Sequence, residues 1–290
     1  DLHSFPTRRS SDLEYLKMFI EAKQIEGCSA RTLQYYQVTI EHLLKNIDTV
    51  IRKITTDEIR TYLAEYQQRN NCSKVTVDNV RRNISSFFSW LEEEDYILKS
   101  PMRRIHKIKT KQPVKEIISD EMIERLRDNC RCSRDLAMID LLYSTGIRVG
   151  ELVGLNISDI DFEERECVVY GKGDKERRVY FDAKAKLHLQ NYINSRTDTN
   201  PALFVTLDSP YERLKISGVE IRVRELGRKL NIEKIHPHKF RRTMATRAID
   251  KGMPIEQVQK ILGHSQIGTT MQYAIVNQNN VKTSHRRYIA

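Results

Sequence analysis

The sequence predicts a mainly α-helical protein with a small β-sheet, divided into a helical first domain and a mixed α/β second domain. Three observations predict it. Apolar residues recur at helical spacing over most of the 290 residues. A basic stretch bracketed by Pro101 and Pro113 divides the chain. One pair of β-prone runs, Cys167-Val168-Val169-Tyr170 and Arg178-Val179-Tyr180-Phe181, flanks the Gly-rich, charged turn Gly171-Lys172-Gly173-Asp174-Lys175, the pattern of a hairpin.

Residues 1–12 (DLHSFPTRRSSD) lack an apolar signal region and read as a non-native leader outside the fold. Residues 13–100 form the first domain, expected as four helices. Tyr15, Leu16, Phe19 and Ile20 open the first apolar stripe. Leu33, Tyr36, Ile40, Leu43 and Leu44 line a second helix, capped at Ser29 or Thr32. Thr55-Thr56-Asp57-Glu58 has the form of a capping box ahead of Ile59, Tyr62, Leu63 and Tyr66. A fourth helix starts near Ser73 and carries Val77, Val80, Ile84, Phe87, Phe88 and Leu91. Residues 101–115 are expected as a basic linker, and 116–290 as the second domain with its tail, starting at the cap Ser119-Asp120-Glu121.

Composition bounds the function. With 39% hydrophobic and 30% charged residues the chain has material for a core and is not a disordered polymer. No apolar run approaches the roughly 20 residues that span a bilayer, so a cytoplasmic protein away from membranes is expected. A net charge of +10 favours polyanionic partners, nucleic acid above all, although a solvated basic surface fits the charge alone. The five cysteines follow neither disulfide-framework nor zinc spacing.

Four segments carry chemistry. Arg148 follows Thr145-Gly146-Ile147 on a Gly-flanked turn, three residues ahead of Glu151. Such an arginine suits a planar grip on phosphate, with the carboxylate orienting it; a plain surface ion pair is the alternative. Lys172 sits at the hairpin tip, placed to act as a point charge or a proton donor. His238 and Arg241 stand at i and i+3 on a helix and are expected on one face. His236 and His238 also suggest a metal pair, but no third ligand is spaced to join them, and no metal site is expected. Finally, Leu262-Gly263-His264 ends one helix on a turn, and Tyr273 follows on a further helix.

Taken together, Arg148 and Glu151, Lys172, His238 and Arg241, His264 and Tyr273 resemble the catalytic set of the tyrosine recombinase (phage integrase) family. The stretch 235–274 resembles integrases of conjugative transposons in particular. Two departures stand out: Arg242 occupies a position where many members carry a second histidine, and no arm-binding domain is evident ahead of residue 13. The resemblance implies a clamp of two domains, core-binding and catalytic, around double-stranded DNA, with no metal or nucleotide cofactor. It implies Tyr273 as nucleophile, Arg148 and Arg241 holding the phosphate, Lys172 as acid, His238 as base, and His264 as a donor to the phosphate. It further implies homo-tetramers on paired recombination sites, a possible directionality factor, service to a mobile element, and work at the nucleoid. For contacts to DNA, Lys74, Arg81 and Arg82 on the fourth helix and Arg103 and Lys107 in the linker are expected. Two other readings stay open: a type IB-like topoisomerase, and a non-catalytic DNA-binding relative.

Overall fold

The structure, a computed structural model, describes residues 9–109, 116–171, 176–232, 234–274, 285, 286 and 289. It divides into two units, residues 1–113 and 114–290.

Capping side chains set where the helices of the first unit begin. α1 (Arg9–Ile25) is followed by α2 (Ala30–Asn46), where the Ser29 hydroxyl accepts the Thr32 N–H. α3 (Thr56–Arg69) starts with the expected capping box: the Thr55 hydroxyl accepts from Glu58 N, and the Glu58 carboxylate accepts from Thr55 N. α4 (Lys74–Glu93) is capped by Ser73. The apolar stripes of these helices meet in a core that includes Phe19, Ile40, Leu43, Ile59, Ile84, Phe87, Phe88 and Leu91, all fully buried. Each such side chain contributes about 1.5–3 kcal/mol through its removal from water.

Two expected boundaries move. The first helix reaches back to Arg9 rather than starting at residue 13, and the Asp12 carboxylate accepts the Ile51 N–H at 3.3 Å. Residues 9–12 therefore belong to the fold. The linker is also shorter than expected. A 3₁₀ turn (Pro101–Arg104) buries Met102 and is held by the Thr56 hydroxyl, which donates to Pro101 O at 2.7 Å. Further along, Ile105 and Ile108 pack on the same core, and Ile108 N donates to Asp78 at 3.0 Å. Three apolar side chains in a basic stretch are enough to fasten it. Residues 110–115 lie outside the described residues.

In the second unit α5 (Asp120–Asp128) precedes α6 (Ser133–Thr145), the central helix. Ala137, Met138, Ile139, Leu141 and Leu142 are all fully buried, so α6 is covered on every side. Its two buried acids are paired, as burial demands: Asp135 with Arg134 and Arg222, Asp140 with Arg127 and His188. The short α7 (Val149–Gly154) leads into an antiparallel sheet, β1 (Ile160–Asp161), β2 (Glu166–Tyr170) and β3 (Glu176–Tyr180), in that order. Opposite residues pair as Cys167 with Val179 and Val169 with Arg177, which puts those four on the core-facing side. The hairpin stands as expected; β1, only two residues long, was not. Residues 172–175 lie outside the described residues. α8 (Ala183–Asn194) and α9 (Ile216–Lys229) complete the core with α10 (Pro237–Asp250). α11 (Ile255–Leu262) and α12 (Ile267–Met271) follow. Among the described residues no helix is long and apolar enough to cross a membrane.

Candidate active site

Two helix C-termini build the site. α6 closes on Gly146 at φ +63° and α11 on Gly263 at φ +62°, a left-handed conformation that strains any residue with a β-carbon. Helix ends leave carbonyls without intrahelical partners, and the aligned peptide dipoles make those ends negative. Arginines occupy them here. Three successive carbonyls at the end of α11 each take a different guanidinium. Arg177 Nε donates to Ile261 O at 2.9 Å, Arg241 Nη2 to Leu262 O at 2.5 Å, and Arg148 Nη2 to Gly263 O at 3.3 Å. Arg241 also donates to Gly146 O at 2.7 Å, which ties the two helix ends together.

One carboxylate faces these three cations. Glu151, in the first turn of α7, accepts from Arg148 N at 2.7 Å and from Arg148 Nη1 at 2.8 Å. It also accepts both terminal nitrogens of Arg177, each at 2.7 Å. Burial alone would raise its pKa; the Arg177 and Arg148 hydrogen bonds overcome that and hold it below the usual carboxylate range. Three guanidiniums against one carboxylate leave the site strongly positive.

The arginines differ in access. The Arg148 side chain is 42% exposed, whereas Arg241 is 1% exposed. Burial, followed by the Arg148 charge, lowers Arg241 to about 10, so it stays charged at neutral pH. The two arginines expected to hold the phosphate therefore differ in position: Arg148 faces solvent and Arg241 lies beneath, held by protein carbonyls.

His264 is placed by the turn after α11. Arg241 Nη2 donates to its Nε2 at 3.1 Å, and its Nδ1 faces the buried Thr270 hydroxyl at 2.9 Å. Because a guanidinium only donates, Nε2 must accept, and the proton sits on Nδ1. Burial, with the charges of Arg241, Arg148, Arg177 and His238, pushes the ring down to about 4. The expected role of His264 as a donor to phosphate does not fit this arrangement, in which both ring nitrogens are taken by the protein. Its visible work is to orient Arg241.

Tyr273 lies just past α12 rather than on it, its N–H donating to Thr270 O at 2.9 Å. The ring is 4% exposed, packed with Ala245, Val258 and Leu262, and stacks on His264 with centroids 6.1 Å apart. His238, in the first turn of α10, is exposed and stacks on His236, while Arg241 on the next turn is buried. Of the seven expected residues, Arg148 pairs with Glu151, and Arg241, His264 and Tyr273 are in contact in turn; the two groups meet on the successive carbonyls of Leu262 and Gly263 at the end of α11, with His238 close enough to act electrostatically on His264. Lys172 lies outside the described residues. Sequence reasoning missed Arg177 and Thr270. A charged residue on the core-facing side of a strand, two before Val179, was the signal for Arg177, since such a residue needs a partner. Among the described residues, no three His, Cys, Asp or Glu side chains group to hold a metal ion.

In the first unit, Lys74, Arg82 and Lys107 are exposed. Arg81 is not available as expected: it donates to Asp78 at 2.7 Å, with both side chains 12% exposed. Arg103 is exposed but pairs with Glu92.

A preorganised set of guanidiniums beside a phenol is suited to a phosphodiester, whose developing charge the cations offset while the phenol attacks. Comparison with known proteins agrees. Residues 115–280 match the phage integrase family and residues 15–98 its N-terminal SAM-like domain. The chain belongs to the phage integrase family and is a tyrosine recombinase, an enzyme that cleaves and rejoins DNA. It is 31% identical to the tyrosine recombinase XerC of Leptospira interrogans, over 98% of this chain and 96% of that one. With XerC of Oceanobacillus iheyensis it shares 29% identity over 94% and 95%. In fold it is similar to the Tn1549 transposon integrase, solved in complex with a circular intermediate DNA. The TM-score there is 0.77 at 19% identity, covering 94% of this chain and 99% of that one.

Proposed function

We propose that this recombinase exchanges strands between specific double-stranded DNA sites through a 3′-phosphotyrosyl link on Tyr273. The observation that carries the reading is the convergence of Arg148, Arg241 and His264 on the end of α11, with Tyr273 stacked against His264. In the first step the Tyr273 oxygen attacks the scissile phosphorus, the bond to the 5′-oxygen breaks, and that oxygen leaves as a hydroxyl. In the second, a 5′-hydroxyl from a partner strand attacks the phosphotyrosine and frees the tyrosine. One phosphodiester replaces another, so no nucleotide is consumed.

Arg148, the exposed cation, takes a non-bridging oxygen first; Arg241 supplies fixed positive potential from below, and His264 holds it in place. His238 serves as base toward the tyrosine, and Lys172 protonates the leaving oxygen. The buried phenol must emerge to attack, so the turn after α12 moves before cleavage. The first unit is the core-binding domain, contacting the duplex through Lys74, Arg82 and Lys107, and the second is the catalytic domain. The assembly is a tetramer on paired sites at the nucleoid, serving a mobile element with the help of a directionality factor.

The test incubates the protein with duplexes carrying paired sites and with supercoiled plasmid. Recombinant products support the reading; relaxation of the plasmid without exchange assigns the chain to topoisomerase chemistry instead.

A further inference from the structure

Arg177 is absent from the roles just assigned, yet it makes three hydrogen bonds inside the site, as many as Arg148 or Arg241. Its two terminal nitrogens hold Glu151 at 2.7 Å each, and its Nε holds Ile261 O at 2.9 Å. Its stem lies against Gly263: a β-carbon there would meet Arg177 Cδ at 2.9 Å and Nε at 3.0 Å. The strand pairing of Val169 with Arg177 fixes where this side chain starts, and only 12% of it is exposed. So placed, it reaches neither solvent nor a ligand freely.

We propose that Arg177 is a positioning residue that keeps Arg148 available to the scissile phosphate by sharing its carboxylate partner. Arg148 and Arg177 divide a single Glu151, and the pair of cations with one anion keeps one positive charge in excess. The exposed member, Arg148, carries that excess toward solvent. Without Arg177, the Glu151 side chain, 4% exposed, would be left with Arg148 as its cation. A buried carboxylate stripped of one partner recruits the other fully. Arg148 would then turn inward into a two-pronged pair with Glu151, neutralise it, and lose both its charge and its position for phosphate. Arg177 also seats the Gly263 turn, which carries the carbonyl that Arg148 touches.

The inference rests on the phosphotyrosine reading above, and the experiment separates the two. The probe is a library of nicked duplexes with a randomised central segment, from which covalent adducts with the wild-type protein are recovered and a reactive duplex is chosen. If the wild type forms no adduct, or Tyr273→Phe forms one, the phosphotyrosine reading itself fails. Given a wild-type adduct, single-turnover rates are measured for Arg177→Met, Arg177→Lys and Arg177→Met combined with Glu151→Gln. DNA affinity is measured in the Tyr273→Phe background, and folding by thermal melts.

Arg177→Met should lower the adduct rate on the order of 100-fold, the loss typical of one preorganised donor, with affinity changed less than about threefold. Adding Glu151→Gln removes the carboxylate that captures Arg148 and should recover at least about tenfold of that rate. Arg177→Lys keeps the charge without the fork and should stay at least about tenfold slow while melting like the wild type; it decides the matter if Arg177→Met does not fold. A wild-type rate in a folded Arg177 variant would overturn the inference. So would a loss confined to affinity, or a double variant no faster than Arg177→Met.

Discussion

Arg241 donates to Nε2 of His264 at 3.1 Å, and that contact fixes the tautomer of the imidazole. The ring stays neutral because it is partly buried and because a proton on Nε2 would face the guanidinium. Its pKa of about 4 in the folded chain lies below the ordinary value of 6.5. Above about pH 6.5 both folded and unfolded chains hold it neutral, and its contribution to stability is complete. As the pH falls from 6.5 to 4 the unfolded chain binds a proton that the folded chain refuses, and at most about 3 kcal/mol is lost. Melting curves of the wild type and His264→Gln over this window should show the steeper fall in the wild type.

Arg148→Ala should slow phosphotyrosyl formation by about 100-fold or more while leaving the fold intact, because the side chain is the exposed member of the cluster. Losing one phosphate contact should also reduce the salt dependence of DNA binding by roughly one charge. Single-turnover rates and binding isotherms over a salt series check both effects.

Gly146→Ala is expected to be costly through its backbone. The left-handed conformation at φ +63° adds about 1–2 kcal/mol, while Met244 Cε, 2.2 Å from the new methyl group, is the end of a flexible side chain and can swing aside. Chemical denaturation should show a loss of that size. Gly146 O is also the seat of Arg241, so activity should fall further than stability at temperatures where the variant is folded.

Asp78→Ala removes the shared partner of Arg81 and of Ile108 N. Breaking so enclosed a pair typically costs about 3–5 kcal/mol. Hydrogen exchange should report residues 105–109 released in the variant and protected in the wild type.

Much of this was legible in the sequence. Thr55 and Glu58 announced α3 because a capping box is a local device, and Gly146 and Gly263 announced helix ends because few residues tolerate their backbone. The spacing of Arg148 from Glu151 and the order of Arg241, His264 and Tyr273 gave most of the site. Other features depend on distant parts of the chain. Arg177 meets Glu151 from 26 residues away and Ile261 from 84, so its place on the core-facing side of β3 signals a need for a partner without saying which. Arg81 was read as facing outward beside Lys74, but Asp78, one turn back, claims it. The packing of Met102 in a basic stretch, and the two-residue strand β1, are likewise products of tertiary context rather than of local periodicity.

Tyr273, the proposed nucleophile, has its ring buried against His264. The most direct measurement traps the protein on a nicked duplex, digests the adduct and identifies the modified peptide by mass spectrometry. The expected result is a phosphodiester on Tyr273 and none with Tyr273→Phe. A covalent adduct on another residue, or one that survives Tyr273→Phe, would contradict it.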